Sequence, residues 1–120
     1  MRLAIAGVPK SGKTTRTKGM DGPVYHADDA IEGRAWSEAS EEVSRWFDRP
    51  GPWTVEGVAV PRALRKWLAA NPNGKPVDKV VWCGTPYVAL SKGQAAMGKG
   101  CQTVMREIIP ELERRGVVVA

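Results

Sequence analysis

The chain predicts an α/β domain built on a parallel sheet, and three observations lead there. Short apolar runs alternate with stretches of helical period from one end of the chain to the other. One of them, Val80-Val81-Trp82-Cys83, is unbroken by polar residues, as a strand covered on both faces is. Between the first run and the first helical stretch lies Gly7-Val8-Pro9-Lys10-Ser11-Gly12-Lys13-Thr14, which fits G-x-x-x-x-G-K-[ST]. Strand, glycine-rich loop and helix in that order are the setting in which the pattern binds phosphate.

The elements read in order as follows. Arg2–Ala6 is the first strand and sits in the sheet centre. A short helix runs from Lys13 to about Lys18, and Gly19 with Asp21-Gly22-Pro23 ends it. Val24–Ala27 is the second strand, which delivers Asp28-Asp29 at its C-terminal end. Trp36, Ala39, Val43, Trp46 and Phe47 then share one face of a helix. Ser37 is its expected N-cap, with Glu38, Glu41 and Glu42 in the first turns. The two tryptophans read as core, with a base-stacking surface as the alternative.

Pro50-Gly51-Pro52 stops that helix. Trp53-Thr54-Val55 is the third strand, ending in Glu56-Gly57. Pro61 opens the next helix, with Leu64, Trp67 and Leu68 buried and Arg62, Arg65 and Lys66 on the other face. A loop over Asn71–Pro76 leads to the fourth strand. Thr85 to about Gly93 reads as irregular, long enough to act as a cover. The last helix keeps Met97, Cys101, Val104, Met105, Ile108, Ile109 and Leu112 on one face. Pro110 is expected to kink or restart it, Arg114-Arg115 to complement its end, and Gly116 to cap it. Val117–Val119 is the terminal strand.

A length of 120 residues fits one domain spanning the whole chain. No apolar run approaches the roughly 18 residues of a membrane span, and the chain enters its first strand without a signal peptide. With only Cys83, Cys101 and His26 as soft ligands, a structural zinc site is not expected, and the reading is a reduced cytoplasmic protein. The net charge of +5 suits a polyanionic ligand, nucleotide or nucleic acid, although no long Lys/Arg block is present.

The glycine-rich loop assigns the phosphate site. Gly7 and Gly12 allow backbone conformations and close approaches that a Cβ would forbid. The loop amides form a nest for anionic oxygens, and the following helix adds its positive dipole end. Gly7, Lys10, Ser11, Gly12, Lys13, Thr14 and Thr15 are therefore the expected nucleotide-binding residues. Lys13 brings charge to the β- and γ-phosphates, and Thr14 is the expected Mg²⁺ ligand.

Phosphoryl transfer also needs a group for the acceptor, and several residues offer themselves. Asp28 is the candidate base for an acceptor hydroxyl, with Asp29 beside it; the alternative is a capping residue and a solvated neighbour. Glu56 could hold a Mg²⁺-bound water, or be an ordinary strand-end carboxylate. Arg62, Arg65, Lys92 and Lys99 could clamp phosphate, or be surface charges. Arg62 is the one read as acceptor-binding.

With these residues in place, the chain resembles the small P-loop kinases: nucleoside and nucleotide kinases, shikimate- and gluconate-kinase-like proteins, and polynucleotide 5′-kinases. The resemblance rests on GVPKSGKT at 7–14, HADDAI at 26–31 and VEGVAVPRAL at 55–64, and the element order follows the family over nearly the whole chain. It implies a three-layer P-loop NTPase fold with a five-stranded parallel sheet in the order 2-3-1-4-5. It also implies ATP and Mg²⁺ as cofactors, and Asp28 as the acceptor-binding or general-base aspartate. The chain departs from the family in being short, which reduces an acceptor-binding insertion to roughly Ala30–Arg49, and in having no arginine in 85–99. The expected function is MgATP-dependent phosphoryl transfer to a small nucleoside- or nucleotide-like acceptor. The alternatives are a polynucleotide 5′-hydroxyl kinase and a nucleotide-binding module without turnover.

Overall fold

The structure is a computed structural model that describes residues 1–7, 22–30, 33, 35–83 and 91–120, with residue 36 described by its backbone alone. Its five strands are β1 (Arg2–Gly7), β2 (Val24–His26), β3 (Trp53–Gly57), β4 (Lys79–Cys83) and β5 (Val118–Val119). They form one sheet in the order β2-β3-β1-β4-β5, every pair parallel. This is the order that the resemblance implied. Among the described residues the helices are α1 (Trp36–Trp46), α2 (Val60–Ala70) and α3 (Lys92–Arg114), with a 3₁₀ turn at Ala27–Ala30. None is long and apolar enough to cross a membrane.

Alternation along the strands divides the sheet into two faces. Ala4, Ala6, Trp53, Val55 and Val80 pack against Val43, Leu64, Met105 and Leu112, so all three described helices lie on this face. Leu3, Ile5, Val81 and Cys83 form a second cluster on the opposite face, and the register sets Thr54 and Glu56 beside Leu3 and Ile5 there. The described residues thus show helices on one face only. The helix expected over Lys13–Lys18 lies outside them, as does most of the irregular stretch from Thr85.

Several boundaries differ from expectation. β2 stops at His26, because Ala27 already belongs to the 3₁₀ turn. β3 runs on to Gly57, which puts Glu56 inside the strand. In β4 only Val80 and Cys83 are buried; Lys79, Val81 and Trp82 are half-buried. β5 pairs with Lys79 and Val80, and the Trp82 N–H donates to the Ala120 carbonyl at 3.0 Å just beyond it.

α1 starts one residue before Ser37, and its N-cap Ala35 offers no side-chain hydrogen bond. Ser37 lies inside the helix, where its carbonyl accepts Lys66 Nζ at 2.7 Å. Ala39, Val43 and Phe47 are buried as expected, whereas Trp46 is only partly buried against the core. Its ring lies 6.1 Å from that of Tyr25, and the Arg49 guanidinium sits over both, 4.7 Å from Tyr25 and 5.6 Å from Trp46.

α2 begins at Val60, with Pro61 in its first turn, where a missing N–H costs nothing. α3 begins at Lys92 because Ser91 and Gln94 form a reciprocal capping box, which takes Gly93 into the helix. Pro110 neither ends nor restarts α3, which continues to Arg114. It stands on the exposed side, where water can satisfy the carbonyl freed four residues earlier. The predicted cap is present: Gly116, at φ +88°, donates to Glu113, and Val117 donates to Leu112, both at 3.0 Å.

Arg115 serves two helices. Its side chain is 6% exposed and donates to Glu111 at 2.8 Å, one turn back on α3. It also donates to the carbonyls of Leu68, Asn71 and Gly74, which closes the C-terminal end of α2 and the loop after it. Arg115→Ala strands these carbonyls beside a carboxylate and should cost about 2 kcal/mol, read by urea denaturation. Hydrogen bonds from Arg114 first, and Arg115 second, hold the Glu111 carboxyl down to about 2. That contribution is present above the ordinary value of 4.5 and is lost as pH falls towards 2. Arg115→Ala should therefore flatten the acid limb of the stability profile in that window.

Candidate functional site at the C-terminal edge of the sheet

A parallel sheet brings the C-terminal ends of its strands to one edge, and this edge gathers most of the described candidates. Gly7 closes β1, His26 β2, Gly57 β3 and Cys83 β4. The strand order reverses at β1: β2 and β3 lie to one side and β4 and β5 to the other. Open α/β sheets bind ligands at such a reversal, outside the strand ends. Gly7, the first residue of the glycine-rich loop, ends the central strand and is buried. Lys10, Ser11, Gly12, Lys13, Thr14 and Thr15 lie outside the described residues.

Asp28 and Asp29 do not follow an extended strand end. They occupy the 3₁₀ turn, both exposed, with Ala27 and Ala30 buried beneath them. Asp28 Oδ1 accepts the Val58 N–H at 2.9 Å, which ties the end of β2 to the turn between β3 and α2. Gly57 makes this approach possible. It adopts φ +142°, and a Cβ there would stand 2.7 Å from Asp28 Oδ1. Asp28→Asn keeps an oxygen for Val58 and should leave stability nearly unchanged. Asp28→Ala should lose about 1 kcal/mol in thermal or urea unfolding. Any activity lost in the asparagine variant is then chemical rather than structural.

Glu56 is 3% exposed, one of few buried polar side chains among the described residues. Its Oε1 lies 2.6 Å from His26 Nδ1. The register explains the meeting: His26 of β2 stands directly opposite Glu56 of β3, on the same face. The Mg²⁺-water role read for Glu56 thus falls on a carboxylate already engaged by an imidazole. Nothing in the sequence reading joins His26 to Glu56. The signal for His26 was present in the sequence as the only histidine, closing a strand, but the pairing partner depends on register.

The cations separate. Arg62 is half-buried at the start of α2, with Nη1 3.8 Å from Cys101 Sγ and Nη2 beneath Gly100, where a Cβ would approach to 2.7 Å. Arg65 pairs with Glu107 at 3.2 Å, and Lys66 with Ser37 and Glu41, so both tie helices together. Lys92 and Lys99 are exposed on α3. Of the clamp candidates, Arg62 sits in the first turn of α2 and Lys92 in the first turn of α3, the helices that follow β3 and β4 away from this edge. Cys83 and Cys101 are buried and not in a disulfide, and the Cys101 thiol donates to the Val58 carbonyl at 3.2 Å.

No family model matches the chain, and no curated protein matches it.

Proposed function

We propose that the chain is a MgATP-dependent phosphotransferase of P-loop kinase type, acting on a small nucleoside- or nucleotide-like acceptor in the cytoplasm. One observation carries the reading. The phosphate-binding pattern at 7–14 begins on the last residue of the central strand, at the reversal of a parallel sheet ordered 2-3-1-4-5. In this reading the loop amides, with Lys10, Ser11, Gly12, Lys13 and Thr15, hold the phosphates. Asp28, Asp29 and Arg62 face the acceptor side.

The residue types suit a hard cation: the hydroxyl of Thr14 and the carboxylate of Asp28 are oxygen donors, which Mg²⁺ prefers. Thr14 would hold the ion, which when bound supplies charge neutralisation for the transferring phosphoryl group. Lys13 contributes fixed positive charge at the same oxygens. An Asp28 oxygen left over from the bond to Val58 can orient the acceptor hydroxyl.

The test combines MgATP binding by calorimetry with transfer of labelled phosphate to a panel of nucleosides, gluconate and 5′-hydroxyl oligonucleotides. Binding together with nucleoside phosphorylation is the expected result. Transfer to oligonucleotide ends, with steep salt dependence, would select the polynucleotide kinase instead, which the +5 charge favours. Binding without transfer to any acceptor would leave a non-catalytic nucleotide module.

A further inference from the structure

The His26–Glu56 pairing has no part in the phosphotransferase reading above. The His26 side chain is 42% exposed, whereas that of Glu56 is 4% exposed. Nδ1 faces the buried carboxylate at 2.6 Å. Among the described residues Nε2, on the far side of the ring, has no hydrogen-bond partner, and it is not a buried orphan. In the neutral ring the carboxylate can only accept, so the proton belongs on Nδ1 and a lone pair is left on Nε2. A half-exposed ring whose inner nitrogen is fixed by a buried acid is a preoriented hydrogen-bond acceptor.

Its place in the sheet says what it can reach. His26 is the last residue of β2 and, through Glu56, level with Ile5 of β1. Gly7 lies two residues further along β1. Two strand spacings across and two residues along put the two backbones roughly 10 Å and 7 Å apart in those directions. A nucleoside-sized molecule spans a separation of that order. The 3₁₀ turn carrying Asp28 and Asp29 follows His26 directly along the chain, so the imidazole belongs to the β2 end of this edge, two strands from Gly7.

We propose that His26 contacts the substrate, its Nε2 accepting a hydrogen bond from a hydroxyl of the phosphoryl acceptor, and that Glu56 is the positioning residue that fixes the ring for this contact. The inference rests on the phosphotransferase reading and adds a specificity determinant to it. A donor-bearing acceptor is favoured; an analogue with a methoxy group at that position leaves Nε2 unpaired and is rejected.

Because His26 is the only histidine, its two ring nitrogens give unambiguous NMR signals in imidazole-labelled protein. The free protein should show the Nδ1–H tautomer, and Glu56→Gln, whose amide can donate, should shift the proton to Nε2. With MgATP bound, the Nε2 resonance should move on addition of thymidine, gluconate or a 5′-hydroxyl oligothymidylate, whichever is the acceptor class. His26→Ala should raise the KM of the responding probe about tenfold and leave MgATP affinity unchanged, and His26→Gln, which restores an acceptor atom near Nε2, should recover most of it. An Nε2–H tautomer in the free protein overturns the proposal. So does a MgATP-bound protein whose Nε2 ignores all three probes. Failure to bind MgATP at all removes the phosphotransferase reading first, and this inference with it.

Discussion

Lys13→Ala should reduce phosphoryl transfer by about a hundredfold to a thousandfold, the cost of deleting one preorganised charge from a transferring phosphoryl group. The lysine occupies the single position of the pattern that specifies a cation, directly after the second specified glycine and before the hydroxyl residue. In the proposed reaction its charge would meet the β- and γ-phosphate oxygens as charge shifts towards the leaving group, so the loss should fall mainly on kcat. The affinity for MgATP should weaken less, since the loop amides remain. Lys13→Arg should not rescue the rate, because a planar guanidinium cannot replace a compact ammonium among converging amides. Lys10→Ala is the internal comparison. It removes a loop cation from a position that the pattern leaves free, and the rate should fall several-fold at most. Stopped-flow and steady-state kinetics on the three variants read this directly. Equal activity of Lys13→Ala and wild type would remove the phosphate cradle from the protein.

The residues differ in how far their places could be read in advance. Strand positions were legible because an apolar run such as Leu3–Ala6, four residues long and followed at once by glycine, is too short for a buried helix, and its four residues are indeed buried. The Gly116 cap was legible because only a left-handed residue ends a helix that way. The end of β2 was not. His26 to Asp29 carries no local sign that extended chain gives way to a 3₁₀ turn, and the turn is fixed by Asp28 reaching a backbone N–H thirty residues away. The start of α1 carried a misleading local sign: Ser37 is a good capping residue, yet the helix begins one residue earlier, after Ala35, which has no side-chain acceptor. At the candidate site, the residue types were visible but their pairings were not. Glu56 could be seen to end a strand, but its partner is set by the register of β2 on β3, which no spacing along the chain encodes. Arg115 reads from the sequence as serving its own helix, whereas three of its acceptors belong to α2 and the following loop.

Gly57→Ala should be the most destabilising of the single-atom-scale changes at the site, by about 4 kcal/mol, from backbone strain, two close contacts and the loss of one hydrogen bond. The backbone there holds φ +142°, a conformation that an L side chain resists. The new Cβ would stand 2.7 Å from Asp28 Oδ1 and 3.0 Å from Ala27 Cβ. Relief requires the 3₁₀ turn to back away, which breaks the Asp28 bond to Val58 and disturbs the seat of β2 beside β3. Neither neighbour is the free end of a long side chain: Ala27 is buried with no rotamer to change, and Asp28 is held by the bond that the clash opposes. A double-mutant cycle separates the contributions. In the Gly57→Ala background, Asp28→Ala removes the nearer oxygen, so its own cost should vanish or change sign, leaving a favourable coupling of about 1–2 kcal/mol. The backbone strain and the Ala27 contact remain in every arm that carries Gly57→Ala. Additive losses in urea denaturation would show that Asp28 does not rest on this glycine. The turn that carries both aspartates would then owe its position to something other than the missing side chain at residue 57.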